Sequence, residues 1–261
     1  MFTNYGFELY NATGSLVASA VGNEVSANQS YLHSFTSLTA STKYDLVYRY
    51  KTDFNMTYAT RNLYTAPSKP TLFVTQVTSS SSNVTFAQSS NTLYFQACIF
   101  LPASESCVYA NETSPKIYSS LVPSGNYTVN VIAVYQDIFS EVASLAEIYT
   151  APAIPSINIT SQTDSTIVVQ FTENSLTDEF KSCIYEEGLT PCTPVIESSP
   201  KVFTVNSTQA HVIRLLAIYQ MVESEIAEKI TAGSNTPTTT VSSSPQLTSS
   251  IFLLGLLLFS T

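Results

Sequence analysis

The tetrapeptide YTAP occurs at Tyr64–Pro67 and again at Tyr149–Pro152, 85 residues apart. The sequence around it keeps step. NVTFAQ (83–88) answers to IVVQFT (167–172), FQACIF (95–100) to FKSCIY (180–185), and VIAVYQDIFSEVA (131–143) to LLAIYQMVESEIA (215–227), at offsets of 84 or 85. A chain that repeats at this interval is an array of similar units, and this constrains its fold more than any local motif does. One such unit is long enough to bury its own core without metal or cofactor.

Period-two patterning identifies the units as β. In NYTVNVIAVY, Tyr127, Val129, Val131, Ala133 and Tyr135 share one face, and Thr128, Asn130, Ile132 and Val134 share the other. Strands are expected near 69–76, 83–88, 92–100, 107–111, 115–121, 126–135 and 140–150, separated mostly by Ser, Asn, Pro and Gly turns. Seven short strands with almost no helix signal read as an all-β sandwich.

The residues at 121–133, Leu121-x-Pro123-x-x-x-Tyr127-x-Val129-x-Val131-x-Ala133, resemble the E–F corner and F strand of a fibronectin type III domain, and PSKP at 67–70 resembles that family's lead-in to its first strand. The resemblance implies two sheets, ABE and C′CFG, and implies no chemistry, because the fold hosts many functions. Repeat one keeps Leu38-x-Ala40-x-x-x-Tyr44-x-Leu46; repeat three reads Val205-x-Ser207-x-x-x-His211 and loses the tyrosine corner. Where the family usually carries a strand-B Trp, this chain has Phe86 and Phe171. The expected organisation is a partial repeat at 1–66 with strands C to G, full repeats at 67–151 and 152–233, a Ser/Thr/Pro-rich linker at 234–250 and an apolar tail at 251–261.

Cys98 and Cys107 are nine residues apart, as are Cys183 and Cys192. Four cysteines allow three pairings, and the repeat selects Cys98–Cys107 with Cys183–Cys192, tying strand C to the returning C′. Free thiols in a reducing compartment are the alternative; the spacing fits no common zinc pattern.

The C-terminal order is small residues, a polar uncharged spacer (232–250), then the apolar run Ile251–Phe259. Nine helical residues would rise roughly 14 Å, too little for a hydrocarbon core about 30 Å thick. That order is the signal exchanged for a glycosylphosphatidylinositol (GPI) anchor. Gly233, Ser234 and Asn235 are the attachment candidates, with 242–244 as a second choice. Asn-x-Ser/Thr sequons stand at Asn11, Asn28, Asn55, Asn83, Asn111, Asn126, Asn158 and Asn206, 8 of the 15 asparagines. Chance would give about four, so N-glycosylation at the cell surface is expected. The start, MFTNYGFELYNATG, has no basic n-region or apolar h-region. Counting back from Tyr127 to Tyr44 puts FELY (7–10) on strand C, so the chain is expected to be an incomplete copy of a longer protein, lacking strands A and B of repeat one.

A net charge of −9 excludes a nucleic-acid binder, which needs a basic face. Two histidines, His33 and His211, and no G-x-S-x-G, G-x-G-x-x-G or P-loop leave no catalytic constellation, and no cofactor is expected. Glu173, Asp178, Glu179, Glu186 and Glu187 lack a calcium-ligand rhythm and read as a solvated face. Binding is then the remaining class, with a protein or glycan ligand at the cell surface and membrane contact through the lipid. Candidate contacts are the F–G loops, at Ile138 and Phe139 in repeat two and Met221 and Val222 in repeat three. The primary expectation is an adhesion or recognition module; the alternative is a glycosylated stalk. Sequons scattered over every face would favour the stalk, and a glycan-free apolar patch would favour recognition.

Overall fold

A computed structural model describes residues 2–25, 32–52, 56–104, 107–205 and 209–233, and among these residues there are twenty strands and no helix. The first unit is a single antiparallel sheet built from β1 (Phe2–Asn11), β2 (Leu16–Val25), β3 (Lys43–Thr52) and β4 (Met56–Tyr64), in the order β2-β1-β3-β4. Leu9 pairs with Leu46 as Ile99 pairs with Val129 in the second unit, so β1 is strand C and Glu8 occupies the position of Cys98. No strand corresponding to A, B or E of this unit lies among the described residues; 32–42 crosses as an irregular segment.

The second unit closes as a sandwich. Strands β5 (Thr71–Val77), β6 (Ser81–Ala87) and β9 (Lys116–Ser119) form one sheet, in the order β5-β6-β9. Strands β7 (Tyr94–Phe100), β8 (Ala110–Glu112), β10 (Asn126–Tyr135), β11 (Ile138–Phe139) and β12 (Ala143–Tyr149) form the other, β11-β10-β7-β8 with β12 also on β10. These are the ABE and C′CFG sheets that the resemblance implies. The third unit repeats the topology. Its first sheet is β13 (Ser156–Gln162), β14 (Thr166–Thr172) and β17 (Lys201–Thr204). Its second is β15 (Glu179–Glu186), β16 (Val195–Glu197), β18 (His211–Tyr219), β19 (Val222–Glu223) and β20 (Ala227–Ile230).

Alternation fills each core. Val84 and Phe86 from β6 meet Tyr127, Val129 and Val131 from β10, and Val84, Val129 and Val131 are fully buried. Removing each such side chain from water contributes about 1.5–3 kcal/mol. Phe86, in the place of the family's Trp, packs edge-on against Phe95 at 5.6 Å, and Phe171 meets Phe180 at the same distance. The second and third cores share no residue, so each unit carries its own burial.

Strand C′ is shorter and later than the pattern suggests. Expected over 107–111, it forms only at Ala110–Glu112, because Cys107 belongs to the loop that the Cys98–Cys107 bridge holds over β7. The bridge therefore ties strand C to the loop ahead of C′, and Cys183–Cys192 does the same ahead of β16.

Candidate interaction surface

The F–G connections of the second and third units are two-residue hairpin turns. Gln136 and Asp137 have φ of 51° and 59°, and Gln220 and Met221 have 48° and 63°, the left-handed pair that suits the strand twist. A serine locks the hairpin: the Ala133 N–H donates to Ser140 Oγ at 2.9 Å, and Ser140 Oγ donates to the Glu141 carbonyl at 2.8 Å. Ser224 makes the same bonds with Ala217 and Glu225, which accounts for the repeated SE of 131–143 and 215–227. Asp178, one of the acidic residues of repeat three, accepts from the Gln220 N–H at 2.7 Å and so supports this turn.

The tips are thus firm, but their apolar positions do not coincide. Met221, at the turn, is 94% exposed and stands where repeat two has Asp137; Phe139, two residues past that position, is 53% exposed and stands where repeat three has Glu223, paired with Lys181. Ile138 and Val222 are half-buried in the hairpin stems. The structure does not bring these four residues into one patch repeated between units.

Sequence reasoning missed an aromatic cluster in the first unit. The face of β1 and β3 that would meet an ABE sheet carries Tyr5, Phe7, Leu9 and Tyr48, with the ring of Tyr5 lying directly over Gly22, where a Cβ would collide with it. His33 stacks on Phe7 at 6.4 Å and Phe35 meets His33 edge-on at 4.8 Å. The rings of Tyr5, Phe7 and His33 border a cleft of about 260 Å³ lined also by Ser19, Ala20 and the exposed Leu32. His33 carried no motif, so only the register of β1 on β3 reveals its neighbours. On the opposite face Glu8 holds Arg49 and accepts from the Tyr10 hydroxyl at 2.6 Å, which raises Tyr10 above its ordinary pKa.

The tyrosine corners are present where expected. Tyr44 Oη accepts from the Thr39 N–H at 3.0 Å and Tyr127 Oη from the Val122 N–H at 2.8 Å. His211 replaces the tyrosine in repeat three and is buried, with its backbone N–H donating to Thr231 Oγ1 at 2.9 Å. Among the described sequons, Asn111 on the β8 edge and Asn158 on β13 are exposed. Asn83 on the outer side of β6 and Asn126 at the start of β10 are half-buried. Asn11 sits in the β1–β2 turn, where its Oδ1 accepts from the Thr13 and Ser15 N–H groups. Gly233 follows Ala232, whose carbonyl accepts from Gln162 Nε2 at 2.7 Å. Asn28, Asn55, Asn206, Ser234 and Asn235 lie outside the described residues, as do the linker and tail.

No family model and no curated protein matches this chain. Among solved structures, a two-domain fibronectin type III segment of chicken tenascin aligns at 14% identity over 62% of this chain and 98% of that one, with a TM-score of 0.41. The FN1-FN3 domains of chicken CNTN1 align at 12% identity over 88% of this chain and 89% of that one, with a TM-score of 0.36.

Proposed function

We propose that the chain is a non-enzymatic glycoprotein of the cell surface, held by a GPI lipid at its C-terminal end, whose tandem sandwiches serve as a glycan-coated stalk. The observation that carries this reading is the placement of the sequons. Asn83 stands on the outer side of one sheet, Asn111 on the edge of the other, Asn126 at the start of strand F and Asn158 on an edge strand of the next unit. Glycans at the exposed Asn111 and Asn158 would cover a sheet edge of each full unit and supply the solubility that a chain with 11% charged residues lacks.

A recognition role is the second reading, favoured by the exposed Met221 and Phe139 and by the aromatic cleft around Phe7 and His33. Residues 1–233, purified from secretory cells and applied to intact cells, separate the two. The stalk reading expects no saturable binding. Saturable binding that Met221→Ser, Phe139→Ser or Phe7→Ser abolishes would replace it with recognition. The anchor has its own test: phosphatidylinositol-specific phospholipase C should release the full chain from cells, and a surface pool that resists the enzyme and retains 251–261 would refute the lipid.

A further inference from the structure

The contacts between successive units are themselves a repeat. At the first joint the hydroxyl of Ser41 donates to Ser90 Oγ at 3.0 Å, the Ser68 N–H donates to the same Ser90 Oγ at 3.0 Å, and Tyr64 meets Tyr135 edge-on at 6.1 Å. At the second joint Ser124 Oγ lies 2.9 Å from Ser175 Oγ, the Ala153 N–H donates to Ser175 Oγ at 2.9 Å, and Tyr149 meets Tyr219 edge-on at 5.9 Å. The members correspond one to one at offsets of 83 to 85. One serine, 90 or 175, thus grips both the linker and the corner of the preceding unit.

The preceding unit presents that corner in a fixed form. Ser41 and Ser124 both adopt left-handed backbone, at φ 49° and 54°, which L-residues seldom take. Both are buried, at 2% and 5% exposure, and their N–H groups donate to Ala66 and Ala151 of the YTAP motif at 3.1 Å. The threonine of YTAP closes the same loop: Thr65 Oγ1 donates to the Thr39 carbonyl at 2.6 Å and accepts from the Thr42 N–H at 2.9 Å. Thr150 makes the matching bonds with Val122 at 2.6 Å and Gly125 at 2.7 Å. Pro67 and Pro152 are buried immediately after it, with φ restricted by their rings.

We infer that YTAP is the coding element of a rigid inter-repeat joint, so that successive units are set at the same fixed step instead of swinging on linkers. The tyrosine contacts the next unit, the threonine and alanine fasten the corner of their own unit, and the proline stiffens the exit. The third unit ends in Ile230-Thr231-Ala232-Gly233, which resembles YTAP but has neither its tyrosine nor its proline. Thr231 Oγ1 accepts from the backbone N–H of His211, the position of Tyr127 and not of Gly125, so this segment is out of register with YTAP, and Ile230 is 58% exposed. Independent domains of one chain are by default mobile about small polar interfaces; here the same polar and aromatic set recurs at each boundary.

This deepens the stalk reading, and its test does not depend on membrane attachment. Spin labels at three corresponding exposed positions, Thr60→Cys with Ser144→Cys, and Ser144→Cys with Glu228→Cys, report one step each in the full chain. The joint predicts a single narrow distance population for each pair, with equal means. Tyr149→Ala with Ser175→Ala should at least double the width at the second joint and leave the first unchanged. Inserting two glycines after Pro152 should do the same without touching either core. Broad distributions in the unsubstituted chain, unequal means, or widths insensitive to both changes would overturn the inference. A stalk could still exist with flexible joints, so that failure would not remove the proposed function.

Discussion

The backbone N–H of Phe86 donates to Ser114 Oγ at 2.8 Å, and that of Phe171 donates to Ser199 Oγ at 2.9 Å. The pairing of β6 with β9 ends at Val84 opposite Lys116, next to Pro115, which has no N–H and cannot extend a ladder. The serine hydroxyl takes over as acceptor for the next strand-B N–H, just where the core aromatic needs its backbone fixed. Glu112 with Lys116, and Glu197 with Lys201, brace the same turn as ion pairs, so E-x-S-P-K is a corner motif of both full units.

Ser114→Ala should therefore cost the second unit about 1–3 kcal/mol, the penalty for leaving a buried donor unsatisfied. Urea unfolding followed through Phe and Tyr signals would read it. A change within about 0.5 kcal/mol, the range of an ordinary surface substitution, would show that the bond is dispensable.

Tyr118→Phe should work in the other direction. The Tyr118 hydroxyl is buried with no hydrogen-bond partner among the described residues, and burial pushes its pKa up. The third unit has Phe203 at this position. Removing the hydroxyl relieves an uncompensated desolvation and should stabilise the second unit by about 1 kcal/mol. Destabilisation on thermal unfolding would mean that water satisfies the group.

Replacing Cys98 and Cys107 together with Ala removes a nine-residue closure, worth roughly 2–3 kcal/mol in the chain-entropy model. Because the two cores are separate, the loss should fall on the second unit, with the unfolding of the third nearly unchanged. Equal destabilisation of both would contradict separate cores.

Glycopeptide mapping of chain recovered from secretory cells should find Asn111 and Asn158 modified, since both side chains are exposed, Asn111 accepting only a 3.4 Å bond from Gln96. Both sites unmodified would remove the main support for a coated stalk.

Much of this architecture could be read from the sequence, for physical reasons. A core repeats apolar residues with period two, so Tyr127, Val129, Val131 and Ala133 announced their buried face, and an 85-residue offset announced a second copy. The same offset selected Cys98 with Cys107. What escaped were single polar contacts between distant segments, such as Ser41 with Ser90 or Phe86 with Ser114, which leave no periodic trace. The sequence puts Ile138 and Phe139, or Met221 and Val222, at the F–G tips; which residue faces outward depends on the turn, and the two-residue hairpins put Asp137 and Met221 at the tip and Ile138, Phe139 and Val222 in the stem. The reading of strand C′ placed Cys107 in a strand because bridge and strand compete for the same few residues.

The height of the chain above the membrane is the most direct measure of a stalk. A ten-residue strand such as β10 spans about 33 Å at ~3.3 Å per residue, so three units placed end to end reach roughly 100 Å. A fluorophore at the N-terminal end of the anchored chain, with an acceptor dye in the outer leaflet of intact cells, measures that height by energy transfer. The stalk predicts a tag held near 100 Å, beyond efficient transfer, which moves closer when the two-glycine insertion loosens the second joint. Strong transfer from a tag lying within about 30 Å of the bilayer in the unsubstituted chain would contradict it.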